Sequence, residues 1–280
     1  MKIFSPAKLN LGLQVVGRRP NGYHELESIF WPLNWGDELE IHPSEQLEVA
    51  CEWDVSAPFK KGDLPQGHKN LASRALEGLG LKKKVLIRKK IPLGGGLGGG
   101  SSNAGTLIRQ FGKKEAKLAE SLGADVPFFL DPRPTWVTGI GEVLKPLPMD
   151  EELRKQLFFL LLVFDFPTST PEIFQEHREL KVPFSPRRIH PPLKLSLDSL
   201  KLHLGDARND LEPLVCRRSP AISLGLQTLR KTKAWHSALS GTGSTCYAIY
   251  ESSQARELGA KDLADFCRIY HCSIVLAESM

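Results

Sequence analysis

Apolar and polar residues alternate along the first fifty positions, which is the period of half-buried β-strands. Residues 4–19 ("FSPAKLNLGLQVVGRR") predict one strand, followed by a tight hairpin turn at Asn21 and Gly22. Residues 25–42 predict two more short strands around a turn at "NWGD" (34–37). Residues 51–69 are rich in proline, glycine and lysine, and they predict a surface loop.

Helical spacing replaces the alternation further along the chain. It predicts a helix over 70–81 with Asn70 as its N-cap, and then "KVLIRKKI" (84–91) predicts a strand. An amphipathic pattern predicts a second helix that begins near Ser101. A short helix over about 114–122 follows, ended by a glycine.

A change of composition divides the chain. After "ADVPFFL" (124–130), which leads into another strand, residues 144–153 are rich in proline and charge and predict a domain boundary. The expected domains are 1–148 and 149–280. The remaining predicted elements are a buried strand over 157–164, a proline-rich stretch over 183–192, helices near 196–203, 208–217, 219–232 and 253–265, a strand–turn–strand over 237–251 and a closing strand over 272–279. This mixture of helices and strands predicts an α+β fold.

Composition narrows the classes of function. The 280 residues are 41% hydrophobic and carry a net charge of +5, which is typical of a globular protein and gives no concentrated basic patch for nucleic acid. Five cysteines without a CxxC pair indicate reduced thiols in a cytoplasmic compartment. The N-terminus does not resemble a signal peptide, and the longest apolar run, 157–164, is too short to span a membrane.

The segment "IPLGGGLGGGSSNAG" (91–105) has glycine at six of the seven positions 94–100. A flexible linker would not lie between a strand and an amphipathic helix. The spacing matches G-x-G-x-x-G, but no second strand with an acidic end follows about 20 residues later. In a Walker A loop, a lysine would replace Ser101. A glycine loop before a helix N-terminus still predicts an anion site, with Ser101 and Ser102 as caps or phosphate ligands.

Six segments of the chain resemble the motifs of the GHMP kinases, a family of small-molecule kinases. They are "SPAKLNLGLQV" (5–15), "GYHELES" (22–28), "IPLGGGLGGGSSNA" (91–104), "LGADVPFF" (122–129), "NDLEP" (209–213) and "LSGTGSTCYAIY" (239–250). The resemblance covers nearly the whole chain. It implies the two-domain GHMP kinase fold, with an N-terminal domain like ribosomal protein S5 domain 2, a ferredoxin-like C-terminal domain and a site in the cleft between them.

The resemblance also implies a reaction. The closest branch of the family uses ATP to phosphorylate the 2-hydroxyl of a methylerythritol that carries a cytidine diphosphate, in the non-mevalonate route to isoprenoid precursors. ATP is then the co-substrate, and Mg²⁺ is held mainly through the ATP phosphates, with no dedicated metal site in the protein. The expected partner is this small molecule and neither nucleic acid nor membrane, and the chain is expected to be a monomer or a weak homodimer.

The resemblance assigns roles to individual residues. It makes Asp125 the catalytic base and Lys8 its partner, which keeps the carboxylate ionised and polarises the acceptor hydroxyl. The implied ATP-binding residues are Asn70, Lys89, Pro92, Leu93, Gly94, Gly95, Gly96, Leu97, Gly98, Gly99, Gly100, Ser101, Ser102 and Asn103. The implied substrate-binding residues are Asn10, Tyr23, His24, Thr170, Pro171, Phe174, Thr242 and Gly243, with Tyr23 stacking on the cytosine and His24 bonding to its edge.

Each of these residues also has an ordinary structural interpretation. Without the resemblance, Asp125 is typical of a turn or cap, Lys8 of a solvent-facing strand residue, and residues 21–28 of an exposed hairpin. Two alternative functions are a GHMP kinase for homoserine or a mevalonate-type alcohol, and an inactive nucleotide-binding protein. The sequence departs from the family in a short segment between Asn103 and Asp125 and in a missing proline–glycine pair before Thr170.

Overall fold

The structure is a computed structural model that describes residues 1–60, 62–112, 115–186, 194–206 and 208–280. Within these ranges the strands form one sheet of six strands and one of four. No helix in the same ranges is both long and apolar enough to cross a bilayer. The proline-rich stretch predicted over 183–192 extends beyond residue 186 and so lies partly outside the described residues.

The first sheet is built around one long strand that pairs with three others. Its strands are β1 (Lys2–Arg18), β2 (His24–Pro43), β3 (Glu48–Trp53), β4 (Lys83–Lys89), β5 (Thr135–Thr138) and β6 (Val143–Pro146). Their order is β3-β4-β2-β5-β6, with β1 antiparallel to β2. The side chains of β1 from Ser5 to Val15 are buried, so this strand crosses the interior of the protein.

Helices cover one face of this sheet. They are α1 (Leu71–Gly78), α2 (Gly99–Phe111) and α3 (Ala116–Leu122), followed by a 3₁₀ segment (Pro127–Leu130). Gly105 lets α2 approach the 3₁₀ segment closely, because a Cβ at this position would lie 2.5 Å from Cβ of Phe129. This packing fixes the direction of α2, and with it the position of the glycine loop that precedes the helix.

The second sheet is antiparallel throughout, in the order β10-β7-β9-β8. Its strands are β7 (Phe158–Phe164), β8 (His236–Leu239), β9 (Cys246–Tyr250) and β10 (Cys272–Glu278). The helices of this half are α4 (Glu151–Lys155), α5 (Thr170–Glu179), α6 (Leu197–Asp206), α7 (Glu212–Arg218), α8 (Pro220–Leu229), α9 (Ser253–Asp262) and α10 (Ala264–Tyr270). The apolar run predicted as a buried strand is β7, whose side chains are buried from Phe159 onward.

The largest hydrophobic cluster contains residues of both sheets. Leu9 and Trp31 of the first sheet belong to the same cluster as Phe159 and Tyr247 of the second, and the rings of Trp31 and Phe159 lie 6.4 Å apart. The two sheets separate along the chain between Pro146 and Phe158. The division into domains at residue 148 stays a prediction.

Some predicted elements are wrong in the structure. Residues 34–37 are not a turn, because β2 continues through them and Gly36 pairs with Pro6 of β1. A Cβ on Gly36 would lie 2.1 Å from the carbonyl oxygen of Ser5, so glycine serves a close strand contact here. Residues 51–53 belong to the edge strand β3 and are not loop, since β3 pairs in parallel with β4.

The helix boundaries also differ from the prediction. The helix expected over 253–265 is two helices, α9 and α10, that meet at Leu263. The helix expected over 208–217 begins only at Glu212, because Asn209 and Asp210 form hydrogen bonds with β1 and β8. The helix α5 over 170–179 was not predicted at all.

Candidate active site

A cavity of about 470 Å³ lies where the two sheets meet, and we call it the central cavity. It is lined by β1, by residues 92–101, by the N-terminal part of α5 and by the turn between β8 and β9 (residues 240–245, the β8–β9 turn). Asp125, which follows α3, lies at its wall. Catalytic and binding side chains predicted from five distant segments therefore meet in one space.

The glycine loop (residues 92–98) forms one wall of the central cavity. Gly94, Gly96 and Gly98 have φ values of 61°, 75° and 72°, which side chains rarely adopt. A Cβ on Gly96 would lie 2.2 Å from the carbonyl oxygen of Ser240, so the loop also packs closely against the β8–β9 turn. The N-terminus of α2 follows the loop at the cavity wall and places its free N–H groups and positive dipole end there.

Lys8 and Asp125 form an ion pair at the cavity wall. The Lys8 Nζ lies 3.4 Å from Asp125 Oδ2, donates to Asn10 Oδ1 at 2.6 Å and lies 4.5 Å from the centre of the Phe30 ring. Lys8 is buried although it belongs to an alternating strand, because β1 crosses the interior. The Asp125 side chain is 33% exposed, so one carboxylate edge is accessible from the cavity.

Lys89 reaches the cavity from the end of β4. Its Nζ is buried and donates to Asp37, whose side chain is completely buried. The other carboxylate oxygen of Asp37 accepts from the backbone N–H groups of Lys90 and Ile91 at 2.8 and 2.9 Å. Sequence reasoning missed Asp37 because it placed a turn there. Its phase with the buried Leu39 would have shown it to face the core.

Three residues predicted to bind ATP lie behind the cavity wall. Two of them are Ser102, which donates to the carbonyl oxygen of Pro6 at 2.6 Å, and Asn103, which accepts from Ser5 at 2.9 Å. These two residues and their partners on β1 are buried. Neither Ser101 nor Ser102 caps α2, because Gly98 is the N-cap residue and acts through its backbone. Asn70 caps α1 by accepting from the N–H group of Ala72 at 2.9 Å, as expected from the sequence.

A second cavity of about 510 Å³ adjoins the first, and we call it the outer cavity. Tyr23, His24 and Pro171 line it, and Thr170 and Phe174 line both cavities. The residues predicted to bind cytidine therefore lie side by side, next to the cavity that the Lys8–Asp125 ion pair lines.

The rings of His24 and Phe174 stack with their centres 5.1 Å apart, while Tyr23 is 60% exposed at the rim. Burial lowers the pKa of His24 to about 4, and His177, Arg18 and Arg178 act in the same direction. His24 is therefore neutral near pH 7, with one ring nitrogen as a donor and the other as an acceptor.

The β8–β9 turn closes the central cavity opposite the glycine loop. Thr242 and Thr170 share a hydrogen bond of 2.8 Å between their hydroxyls, and both line the cavity. Gly243, which was predicted to bind substrate, lines neither cavity. Its N–H group donates to the carbonyl oxygen of Ser240 within the turn. Among the described residues, no group of three or more histidine, cysteine, aspartate or glutamate side chains has the arrangement of a metal site.

Comparisons with known proteins identify relatives over the whole chain. A family model described as "GHMP kinases C terminal" matches residues 193–269. A 4-diphosphocytidyl-2-C-methyl-D-erythritol kinase of Citrifermentans bemidjiense is 37% identical over 282 residues, covering 94% of each chain. One of Desulfotalea psychrophila is 35% identical and covers 96% of this chain and 90% of its own.

Solved structures agree with these relatives. A crystal structure of 4-(cytidine 5'-diphospho)-2C-methyl-D-erythritol kinase has a TM-score of 0.72 and 28% identity over 100% of both chains. A homoserine kinase from Cytophaga hutchinsonii has a TM-score of 0.64 at 17% identity, over 100% of this chain and 94% of its own, and it shows the likeness of the fold alone. The predicted α+β GHMP kinase fold is thereby confirmed.

Proposed function

The chain belongs to the 4-diphosphocytidyl-2-C-methyl-D-erythritol kinases within the GHMP kinase family, and from this membership we propose how its site works. The enzyme transfers the γ-phosphoryl group of ATP to the 2-hydroxyl of 4-diphosphocytidyl-2-C-methyl-D-erythritol, a step in the non-mevalonate synthesis of isoprenoid precursors. The observation that carries this function is the Lys8–Asp125 ion pair, which lies beside both the glycine loop and the outer cavity.

The ATP phosphates bind along the glycine loop and the N-terminus of α2. Backbone N–H groups and the helix dipole supply the positive potential that a lysine supplies in a Walker A loop. The loop residues 92–101 and Lys89 line the cavity and fit this role. Ser102, Asn103 and Asn70 act indirectly, because their side chains hold β1 and α1 in place behind the wall.

Asp125 and Lys8 act on the acceptor hydroxyl. The hydroxyl oxygen attacks the γ-phosphorus, the bond from this phosphorus to the β–γ bridging oxygen breaks, and ADP leaves. Asp125 accepts the hydroxyl proton, and correct placement matters most because the transition state is loose. Lys8, fixed by Asn10, keeps the carboxylate oriented and stabilises negative charge beside the acceptor oxygen.

The outer cavity holds the cytidine end of the acceptor. Neutral His24 can either donate to the acceptor nitrogen on the edge of cytosine or accept from its amino group, because one ring nitrogen is a donor and the other an acceptor. Phe174 stacks on His24, and Tyr23 offers a further aromatic face at the rim. Thr170, Pro171, Thr242 and Asn10 lie between this end and the catalytic pair, while Gly243 shapes the turn that carries Thr242.

Mg²⁺ is expected to bind together with ATP. Such ions keep several waters and bind through substrate phosphates with one or two protein oxygens. Ser101 and Asp125 are a hydroxyl and a carboxylate at the cavity wall that could each supply one oxygen to the ion, with the phosphates supplying the others. Bound Mg²⁺ would neutralise charge on the transferring phosphoryl group.

We also propose a partner, an oligomeric state and a compartment for the enzyme. Its partner is a small nucleotide-linked polyol, with neither nucleic acid nor membrane required, and it works as a monomer or weak homodimer. All five cysteines are free thiols, which suits a cytoplasmic enzyme that uses ATP.

The direct test is an acceptor panel. The purified protein is incubated with ATP, Mg²⁺ and either the cytidyl substrate, homoserine or mevalonate, and ADP release is followed. We expect turnover with the cytidyl substrate alone. Turnover with homoserine or mevalonate instead would replace the proposed acceptor, and no turnover with any acceptor would indicate an inactive nucleotide-binding protein.

A further inference from the structure

The motif "NDLEP" (209–213) lines neither cavity, yet its first residue is buried next to the site. The Asn209 side chain donates both of its amide hydrogens to the β8–β9 region, to the carbonyl oxygens of Leu239 at 2.9 Å and Gly241 at 2.7 Å. Its own oxygen accepts from the N–H group of Leu211 at 3.0 Å. We propose that Asn209 is a positioning residue that fixes the β8–β9 turn against the catalytic strand.

The segment that carries Asn209 is itself attached to β1. The N–H group of Leu13 donates to Arg208 at 3.1 Å, and that of Asp210 donates to Leu13 at 2.8 Å. The N–H group of Val15 donates to the carboxylate of Asp210 at 2.8 Å. Asn209 therefore links the strand that carries Lys8 with the turn that carries Thr242.

The β8–β9 turn also contacts Asn10, which holds Lys8. Ser240 accepts from the N–H group of Asn10 at 3.3 Å and donates to the carbonyl oxygen of Gly96 at 3.0 Å. A Cβ on Gly241 would lie 3.1 Å from Asn10 Oδ1, the same atom that accepts from Lys8. A shift of the turn would therefore displace Asn10 and, with it, Lys8.

The buried surroundings make an amide the required group. Leu239 and Gly241 are buried, so their carbonyl oxygens would lose their side-chain donor without access to water if Asn209 were changed. Glu212 assists by accepting from the N–H group of Leu239 at 3.1 Å, but it offers no donor to these carbonyls. Two N–H donors on one short side chain are what the turn needs, and asparagine supplies them.

The role rests on the proposed function, and Asn209→Asp tests it because aspartate keeps the shape but loses both donors. We expect the kcat with the cytidyl substrate to fall about 100-fold, since a misplacement near 1 Å has this effect. The KM for ATP should change by less than about fivefold, because α2 and the glycine loop supply most of its contacts. Gln227→Glu is the matched control, since it makes the same amide-to-carboxylate change on the exposed face of α8, and activity should stay at the wild-type level.

Amide hydrogen exchange measures how firmly the β8–β9 turn is held, and it needs no substrate. In Asn209→Asp, a peptide covering residues 239–246 should exchange at least about tenfold faster than in the wild type, while one covering β7 should not change. If Asn209→Asp does not fold, Asn209→Ser, which keeps one donor, is measured in its place and should show the same local increase. Wild-type kcat in the folded variant, or exchange that rises equally everywhere, would overturn the role of Asn209. A wild-type protein inactive on the cytidyl substrate would overturn only the function.

Discussion

At the scale of single residues, the buried ammonium of Lys8 has three neighbours: the Asp125 carboxylate, the Asn10 amide oxygen and the face of the Phe30 ring. Asn10 and Phe30 belong to β1 and β2 of the first sheet, whereas Asp125 follows a short helix and is partly exposed. The geometry therefore fixes the lysine first and lets the carboxylate face the substrate. A base that must meet an incoming hydroxyl benefits from this arrangement.

Asp125→Asn is predicted to lower kcat by about 10²–10⁴-fold, since it removes the proton acceptor and keeps the size of the side chain. ATP affinity should stay within a few fold, because the phosphate site that we propose is the glycine loop and not Asp125. Turnover by ADP release and ATP affinity by calorimetry check the two halves of this prediction. Asp131→Asn is the control, since Asp131 lies outside both cavities. Full activity of Asp125→Asn would remove Asp125 as the base.

The buried pair of Lys89 and Asp37 gives a second residue-scale prediction. Asp37→Asn leaves the buried Lys89 without its counter-charge, so the free energy of unfolding should fall by about 3–5 kcal/mol. Chemical denaturation measures this change. The neighbouring Glu38 pairs with Lys2 at 2.9 Å on the surface, and Glu38→Gln should cost less than about 1 kcal/mol. Equal losses in the two variants would contradict the special role of the buried pair.

At the scale of elements, the glycine loop joins the two halves of the site. Gly96 combines a φ of 75° with a Cβ position 2.2 Å from the carbonyl oxygen of Ser240. Gly96→Ala is therefore predicted to displace the loop or the turn and to lower kcat/KM for ATP by about 100-fold. Steady-state kinetics at varied ATP checks the effect. Gly205→Ala, in an open position on α6, should leave kinetics unchanged, and equal kinetics in Gly96→Ala would show that the loop tolerates a side chain.

Local patterns predicted the glycine loop, its flanking strand and helix, and the α1 cap, because each depends on residues close together in sequence. The continuous β2 was not predicted, since the pairing partners of Gly36 and Asp37 are Pro6 and Ser5 on β1, far away along the chain. The end of β3 was predicted as loop because the residues that follow it are rich in proline, glycine and lysine, although the exposure of β3 alternates along the strand. For α5, the sequence does contain a start signal, because Pro171 lies in its first turn and proline is common at the start of helices.

The site residues divide in the same way. The resemblance supplied Lys8 and Asp125, which the structure brings together from positions more than a hundred residues apart. It could not supply Asp37 or Asn209, because these side chains act through other protein groups and their partners are distant in sequence. Contacts of this kind depend on the packing of whole elements, which a single sequence does not encode locally.

At the scale of the whole molecule, two histidines with lowered pKa values, the buried His24 and the half-buried His236, couple stability to pH. Burial lowers the pKa of His236 to about 4, with Arg230 acting in the same direction, and the pKa of His24 is lowered to about 4 as described above. The unfolded chain binds these protons below about pH 6.5, whereas the folded chain binds them only near pH 4. Between these values the unfolded state holds more protons, so stability rises with pH.

The free energy of unfolding should therefore be highest above pH 6.5 and fall as the pH is lowered toward 4, by up to about 3 kcal/mol for each histidine. Urea denaturation at a series of pH values measures the slope. His236→Phe should reduce the fall by about half, because phenylalanine does not titrate whereas His24 still does. The variant should fold, since an aromatic ring is kept and Tyr247 still donates to the Asn10 carbonyl oxygen at 3.0 Å. The exposed, uncharged Gln227 serves as the control, and Gln227→Ala should leave the slope unchanged. An unchanged slope in His236→Phe would assign the pH dependence to His24 or to other groups rather than to His236.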